Sequence, residues 1–268
     1  MRFSVTMVQM PTVEGDRDRN HSVVRNLLRP ESYSGTHFII LPELFDVGFR
    51  YDDYARIGPG IPGPTTRFIE SIAEEYRAYV IGTGLEKAEG GYYNTLIAAS
   101  PAGKTTATYR KVHPFQAERT VFKGGDKVVL FDAKGIKVGV EICYDIRFPE
   151  LTRRMALEGA QLILVPGAFP DPRSAHWDSL LAARAIENQF YVAAANRVGR
   201  GFDGKTYFGH SQMVDPSGVR LTRMTSEEQI FASSGDTSSL DSVRNQITCY
   251  KDRAPGAYEK VQWFKDQT

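Results

Sequence analysis

Long apolar runs, clustered cysteines and an excess of either charge are all missing from this 268-residue chain, and each absence closes a class of function. No stretch is apolar for long enough to span a bilayer, and the first ten residues lack the continuous apolar core and cleavage site of a signal peptide. A formal net charge of +1 gives no electrostatic case for nucleic acid or for an anionic membrane. The two cysteines, Cys143 and Cys249, make neither a disulfide framework nor a metal-ligand spacing, which suits a reducing compartment, so a cytoplasmic location is expected. His21, His37, His113, His176 and His210 are scattered, with no pair spaced like His-Glu-x-x-His. Gly82-Thr83-Gly84 lies inside a strand pattern with no helix after it, so it is no phosphate loop. Neither a metal nor another cofactor is expected. No Gly/Ser linker or charge block divides the chain, and residues 1–268 are expected to form one domain with an irregular extension from about 237.

What is present begins with composition: 41% apolar and 24% charged residues are enough to build a large core. Periodicity predicts strands over 3–9, 37–42, 79–86, 92–99 and 104–110, with helices over 18–29 and 64–77. After a loop at 112–126 and an edge strand near 128–132 the order recurs. Strand 136–142, helix 148–159, strand 161–166, helix 175–188, strand 190–197 and strands near 207–214 and 218–224 follow. Both halves thus read β-α-β-α-β-β-β, an internal duplication that suggests two sheets packed face to face with helices outside each.

Three ionisable groups emerge at strand ends in separate parts of the chain. Val138, Val140 and Ile142 alternate as a strand and deliver Cys143 onto a turn before Pro149, a residue suited to the first turn of a helix. Amide groups at such an elbow favour both an anionic sulfur and an oxyanion. The apolar run 36–41 ends at Pro42-Glu43, and the strand ending at Tyr109 delivers Arg110-Lys111, with Glu118 further along the same loop. Each has a plain structural alternative: Cys143 packing in a core, Glu43 capping or pairing at a strand end, Lys111 on the surface, Glu118 solvated beside Arg119. A Cys-His pair using His113 or His176 as base is a rival arrangement, although neither lies in a recognisable protease context.

Taken together, these segments resemble the nitrilase superfamily, the carbon–nitrogen hydrolases. The likeness runs from the first strand to about Gly256 and rests on Leu41-Pro42-Glu43-Leu44-Phe45, Tyr109-Arg110-Lys111-Val112-His113, Glu141-Ile142-Cys143-Tyr144-Asp145, and Glu118 before the Phe122–Asp126 turn. Arg184–Asn188 and Ala195-Asn196-Arg197 also fall on family positions. Pro114 departs from the leucine that many relatives carry there, which bears on the path of the loop holding Glu118. The resemblance implies an α/β fold, a four-layer α-β-β-α sandwich of two mixed sheets with a pseudo-two-fold duplication. It implies Cys143 as nucleophile, Glu43 as base and acid, and Lys111 with the Tyr144 backbone N–H as oxyanion donors. Glu118 would orient substrate or lysine.

Asp145 is expected to cap and brace the following helix; Arg147 is read as a brace that alternatively reaches a substrate carboxylate, and Phe169 as a substrate contact. The sequence around Cys143 resembles the amidase-like and omega-amidase-like branches more than the nitrile-hydrolysing one. The expected substrate is a small amide, with N-carbamoyl amidohydrolase, nitrilase, acyl transferase and a non-catalytic scaffold as alternatives. A homodimer or larger even-numbered homo-oligomer is expected through helices 148–159 and 175–188, and the tail either crosses to a neighbouring subunit, as the resemblance implies, or folds back on its own.

Overall fold

The computed structural model describes residues 1–28 and 35–263. The last residue of the predicted first helix and the end of the tail lie outside them. The first half runs β1 (Arg2–Gln9), α1 (Arg17–Leu27), β2 (Thr36–Ile40), the single turn α2 (Tyr54–Ile57), α3 (Pro64–Glu75), β3 (Tyr79–Ala88), β4 (Gly91–Ser100) and β5 (Lys104–Arg110). The second runs β6 (Leu130–Ala133), β7 (Ile136–Val140), α4 (Pro149–Leu157), β8 (Leu162–Gly167), α5 (Ser174–Asn188) and β9 (Tyr191–Asn196). Short strands β10 (Val198–Arg200), β11 (Thr206–Phe208) and β12 (Gln212–Val214) precede β13 (Gln229–Asp236), α6 (Ser239–Gln246) and α7 (Pro255–Tyr258). Local chemistry sets the helix starts. The Asp16 side chain accepts from the Arg19 N–H ahead of α1, and proline opens both α3 and α4.

Two large mixed sheets result, ordered β13-β1-β2-β3-β4-β5 and β12-β9-β8-β7-β6. In each, three parallel strands sit at the centre, β1-β2-β3 in one and β7-β8-β9 in the other, with antiparallel strands on both sides. This is the pseudo-two-fold relation. Side-chain period two then sorts the layers. Phe3, Val5, Met7, Phe38, Ile40 and Ile81 of the first sheet join Val138, Val140 and Leu164 of the second in one core. The alternate residues Val8, Ile39, Val80 and Ile97 pack with Val24 of α1 and with Phe68, Ile69 and Ile72 of α3. On the far side, a Cβ on Gly139 would meet Met155 of α4, and one on Gly167 would meet Trp177 of α5. Four layers follow: helix, sheet, sheet, helix.

Two expectations need correcting. No strand covers 218–224: Asp215 Oδ1 accepts from the Ser217 and Val219 N–H groups, closing a turn, and only the Val214–Arg220 bridge follows. The strand that was not anticipated, β13, instead runs back along β1, from Gln9 opposite Gln229 to Arg2 opposite Asp236. The duplication is therefore completed by strands from different places in the chain, β13 flanking β1 and β6 flanking β7. Strand 207–214 is also broken, because Gly209 and His210 both take positive φ (74° and 57°). The apolar excess anticipated on α4 and α5 is visible at Leu157 and Ile186, 41% and 53% exposed on helices that otherwise bury apolar faces. Among the described residues no helix is long and apolar enough to cross a membrane.

Trp177 links this packing to the loop after β8. Its side chain is fully buried, its Nε1–H donates to the His210 carbonyl at 3.0 Å, and its ring lies 5.2 Å from that of Phe169. Trp177→Ala should cost about 3–5 kcal/mol of unfolding free energy, the range for truncating a large buried aromatic. Urea denaturation measures it; a loss under about 1 kcal/mol would mean that α5 collapses onto the vacated space.

Candidate active site

The carboxyl ends of β2, β5, β7 and β8 meet at one edge of the sandwich, and each delivers a side chain or wall to the same pocket. Beyond β2, Glu43 is buried, and its backbone N–H donates to the Gly167 carbonyl of the opposite sheet at 3.2 Å. Lys111 follows β5 and is equally buried. Its Nζ donates to Glu43 Oε1 at 2.6 Å and to Glu118 Oε2 at 2.8 Å. Glu118 is not the solvated loop carboxylate that its sequence context allows. It is buried, and its Oε2 also accepts from the Phe115 N–H at 3.2 Å. The Pro114 carbonyl in this loop accepts from Arg119 Nε at 3.1 Å.

Asn94 was not anticipated. From β4 its Nδ2 donates to Glu43 Oε1 at 2.8 Å, so that oxygen accepts two bonds while the buried Oε2 has no hydrogen-bond partner. The carboxylate is held by one oxygen and presents the other. The signal in the sequence was a buried-strand asparagine just ahead of the apolar run Leu96–Ala99. Close approach fixes the lysine's main chain as well. The Gly125 N–H donates to the Lys111 carbonyl at 2.8 Å, and a Cβ there would lie 2.2 Å from the Arg110 carbonyl oxygen.

Cys143 sits beyond β7 with φ +49°, a strained value for a residue with a side chain, and opens a 3₁₀ turn, Cys143–Arg147, before α4. Asp145 holds this elbow. Rather than capping α4 with its side chain, it accepts at Oδ2 from the Tyr109 hydroxyl (2.7 Å) and the Ile142 N–H (3.1 Å). Its Oδ1 accepts from the His113 N–H (3.0 Å) and lies 2.8 Å from His113 Nδ1. One buried carboxylate therefore joins the cysteine elbow to the loop that begins at Lys111. His113 is committed there and stacks on Phe148 with ring centroids 3.5 Å apart, while His176 faces Arg147 at 3.2 Å. A Cys-His pair has no support in this arrangement. Arg184 Nε donates to the Ile146 carbonyl at 2.8 Å, and Asn196 brackets Phe169 by accepting from its N–H (2.7 Å) and donating to its carbonyl (3.2 Å).

In front of the sulfur lies a cavity of about 200 Å³. Cys143, Tyr144, Glu118 and Phe169 line it together with further aromatic side chains. Arg147 is not among the lining side chains. Its guanidinium lies over the Phe169 ring at 5.1 Å and over Tyr144 at 6.0 Å, so it braces two walls.

Burial acts first on the electrostatics. It pushes the Cys143 thiol well above its ordinary range, with Glu43 adding to the effect and Lys111 opposing it, so the resting sulfur keeps its proton. Desolvation thus outweighs the pull of the Lys111 charge toward thiolate. Burial also opposes charge on Lys111, but Glu118 and Glu43 together hold the ammonium well above its usual pKa. Burial, partly countered by Lys111, raises Glu118 to about 7. The pocket thus contains a neutral thiol, a permanent ammonium and a carboxylate with a free oxygen. Such a set can move a proton off sulfur when an electrophile arrives and can stabilise a developing oxyanion. Among the described residues no three His, Cys, Asp or Glu side chains gather as metal ligands.

The sequence profile of the carbon–nitrogen hydrolase family matches residues 4–245. The omega-amidase NIT2 of Bos taurus is 34% identical over 271 residues, covering 96% of this chain and 97% of that one. Among solved structures, XC1258 of Xanthomonas campestris, a CN-hydrolase superfamily protein with an arsenic adduct in its active site, superposes with a TM-score of 0.86. It is 27% identical and covers 99% of this chain and 100% of its own. Saccharomyces cerevisiae Nit3, of branch 10 of the nitrilase superfamily, gives a TM-score of 0.82 at 28% identity, covering 94% and 96%.

Two residues before the cysteine, Glu141 is buried and accepts from the Thr152 hydroxyl of α4. Burial raises its carboxyl to about 8, against the pull of the Thr152 bond and with help from Asp145. Because this pKa is raised on folding, the native state holds a proton that the unfolded chain releases above about 4.5. That contribution to stability is lost as pH rises toward 8. Glu141→Gln should therefore flatten the fall in denaturation midpoint between pH 5 and 8. Parallel curves for variant and parent would remove Glu141 from that pH dependence.

Proposed function

Since this chain belongs to the carbon–nitrogen hydrolase family, we propose that it hydrolyses the C–N bond of a small amide through a thioester on Cys143, releasing ammonia and a carboxylic acid. The observation that carries this reading is the Glu43 carboxylate, one oxygen fixed by Lys111 and Asn94 and the other without a hydrogen-bond partner, its charge close enough to Cys143 to raise the thiol further. Two curated relatives of this length carry the name omega-amidase, which supports an amide over a nitrile or carbamoyl substrate.

The steps follow from the groups present. Glu43 Oε2 takes the thiol proton as sulfur attacks the carbonyl carbon, breaking the C=O π bond and placing the electron pair on oxygen. Lys111 donates two hydrogens to carboxylates, leaving a third N–H for that oxygen. The Tyr144 N–H, at the start of the 3₁₀ turn where intrahelical partners are missing, supplies a second donor. Collapse of the tetrahedral species breaks the C–N bond, and Glu43 gives its proton to the leaving nitrogen. Water then adds to the thioester as Glu43 takes one of its protons, and that proton returns to sulfur when the acid departs. Glu118 keeps the lysine in place from the other side. Splitting one hard attack on an amide into attack by sulfur and attack on a thioester lowers the barrier to each.

Ammonia release from a primary amide tests this set. Cys143→Ala should abolish turnover, whereas Cys249→Ala, which alters a sulfur donating to Gln189 outside the pocket, should retain it. Glu43→Gln and Lys111→Met should each cost at least about a hundredfold in kcat, and their combination no more than the worse of the two. A near-normal kcat in either single variant removes that residue from the reaction.

A further inference from the structure

The cavity in front of Cys143 is walled by Phe49, Tyr51, Phe115, Phe169, Phe202 and Tyr207. Its acidic lining side chains are already paired: Glu118 accepts from Lys111, and Asp203 from Lys205. Lys205 is therefore the only cation among the described lining residues, and it faces its own carboxylate. The Arg173 guanidinium lies over the Phe115 ring at 5.6 Å, as Arg147 lies over Phe169, and neither arginine lines the cavity. A substrate carboxylate placed here would meet two anions and no free cation, and burying it without a partner is costly. An aromatic ring meets the opposite balance: it gains by burying apolar surface and by edge-to-face contact with the rings of the wall. Phe202 shows where that gain is available. It sits on the turn between β10 and β11, is 48% exposed, and touches the Arg50 guanidinium at 5.3 Å. A ligand ring would cover it.

We propose that the site selects neutral amides with an aryl or arylalkyl acyl group and disfavours amides whose acyl chain ends in a carboxylate. This rests on the amide-hydrolase reading and adds the substrate class to it. Phe202 and the Asp203–Lys205 pair then act as specificity determinants, the first covering the ring and the second withholding a cation.

Three substrates with the same amide end separate the ideas: 3-phenylpropanamide, propanamide and succinamate, compared by kcat/KM for ammonia release. The expected order is phenyl, then unsubstituted, then carboxylate, with the first exceeding the last by at least about tenfold. Phe202→Ala should lower the ratio of 3-phenylpropanamide to propanamide by about threefold or more. Asp203→Asn, which frees Lys205, should raise succinamate relative to propanamide. Succinamate as the best substrate, or equal rates for all three, would overturn the proposed selectivity while leaving amide hydrolysis standing. No ammonia from any of them would overturn both.

Discussion

An ammonium group with almost no exposed surface survives in this protein because two carboxylates from different segments close on it. Lys111, Glu43 and Glu118 are each nearly inaccessible, and removing either acid would leave a buried charge without its partner, a loss of about 3–5 kcal/mol in comparable cases. Much of the architecture follows from that requirement. The strand ends of β2 and β5 must lie together, Asn94 must reach across from β4, and the 3₁₀ turn carrying Glu118 must fold back onto the lysine. The Glu43 N–H donating to the Gly167 carbonyl also ties this group to the opposite sheet, so the ion cluster sits at the seam between the two halves.

Asp145 supplies the second constraint. By accepting from Tyr109, His113 and Ile142 it fastens the cysteine elbow to the lysine loop, and a residue at φ +49° is tolerated there because the surroundings hold it. The thiol so positioned stays protonated at rest. In the proposed mechanism the nucleophile is generated only when Glu43 accepts the proton during attack, which would also lower the exposure of the sulfur to oxidants that act on thiolates. A low-pKa cysteine would achieve nucleophilicity differently, by standing ionised; here desolvation opposes that.

The central strands and the cysteine elbow were legible because short-range alternation encodes them, as at Val138, Val140 and Ile142. Glu43, Lys111 and Cys143 were legible as family motifs just beyond strand ends, and Glu118 as a family motif further along the loop after β5. What escaped depends on tertiary closure. Strand β13 reads as a weakly apolar segment, and only pairing with β1 across most of the chain makes it a strand. Asn94 gains meaning from the carboxylate it meets, and Asp145, an expected helix cap, takes its role from Tyr109 and His113. The aromatic wall is drawn from the segments around Phe49, Phe115, Phe169 and Phe202. Nothing local distinguishes these rings from core packing.

Passage of the reaction through an acyl group on sulfur is tested by partitioning with hydroxylamine. Turnover of 3-phenylpropanamide and of the corresponding methyl ester at one fixed hydroxylamine concentration is followed by the ratio of hydroxamate to acid. A shared thioester on Cys143 predicts the same ratio from both substrates, because the leaving group has gone before the nucleophiles compete. A ratio that changes with the leaving group would mean that water attacks the substrate itself, and the covalent account would be wrong.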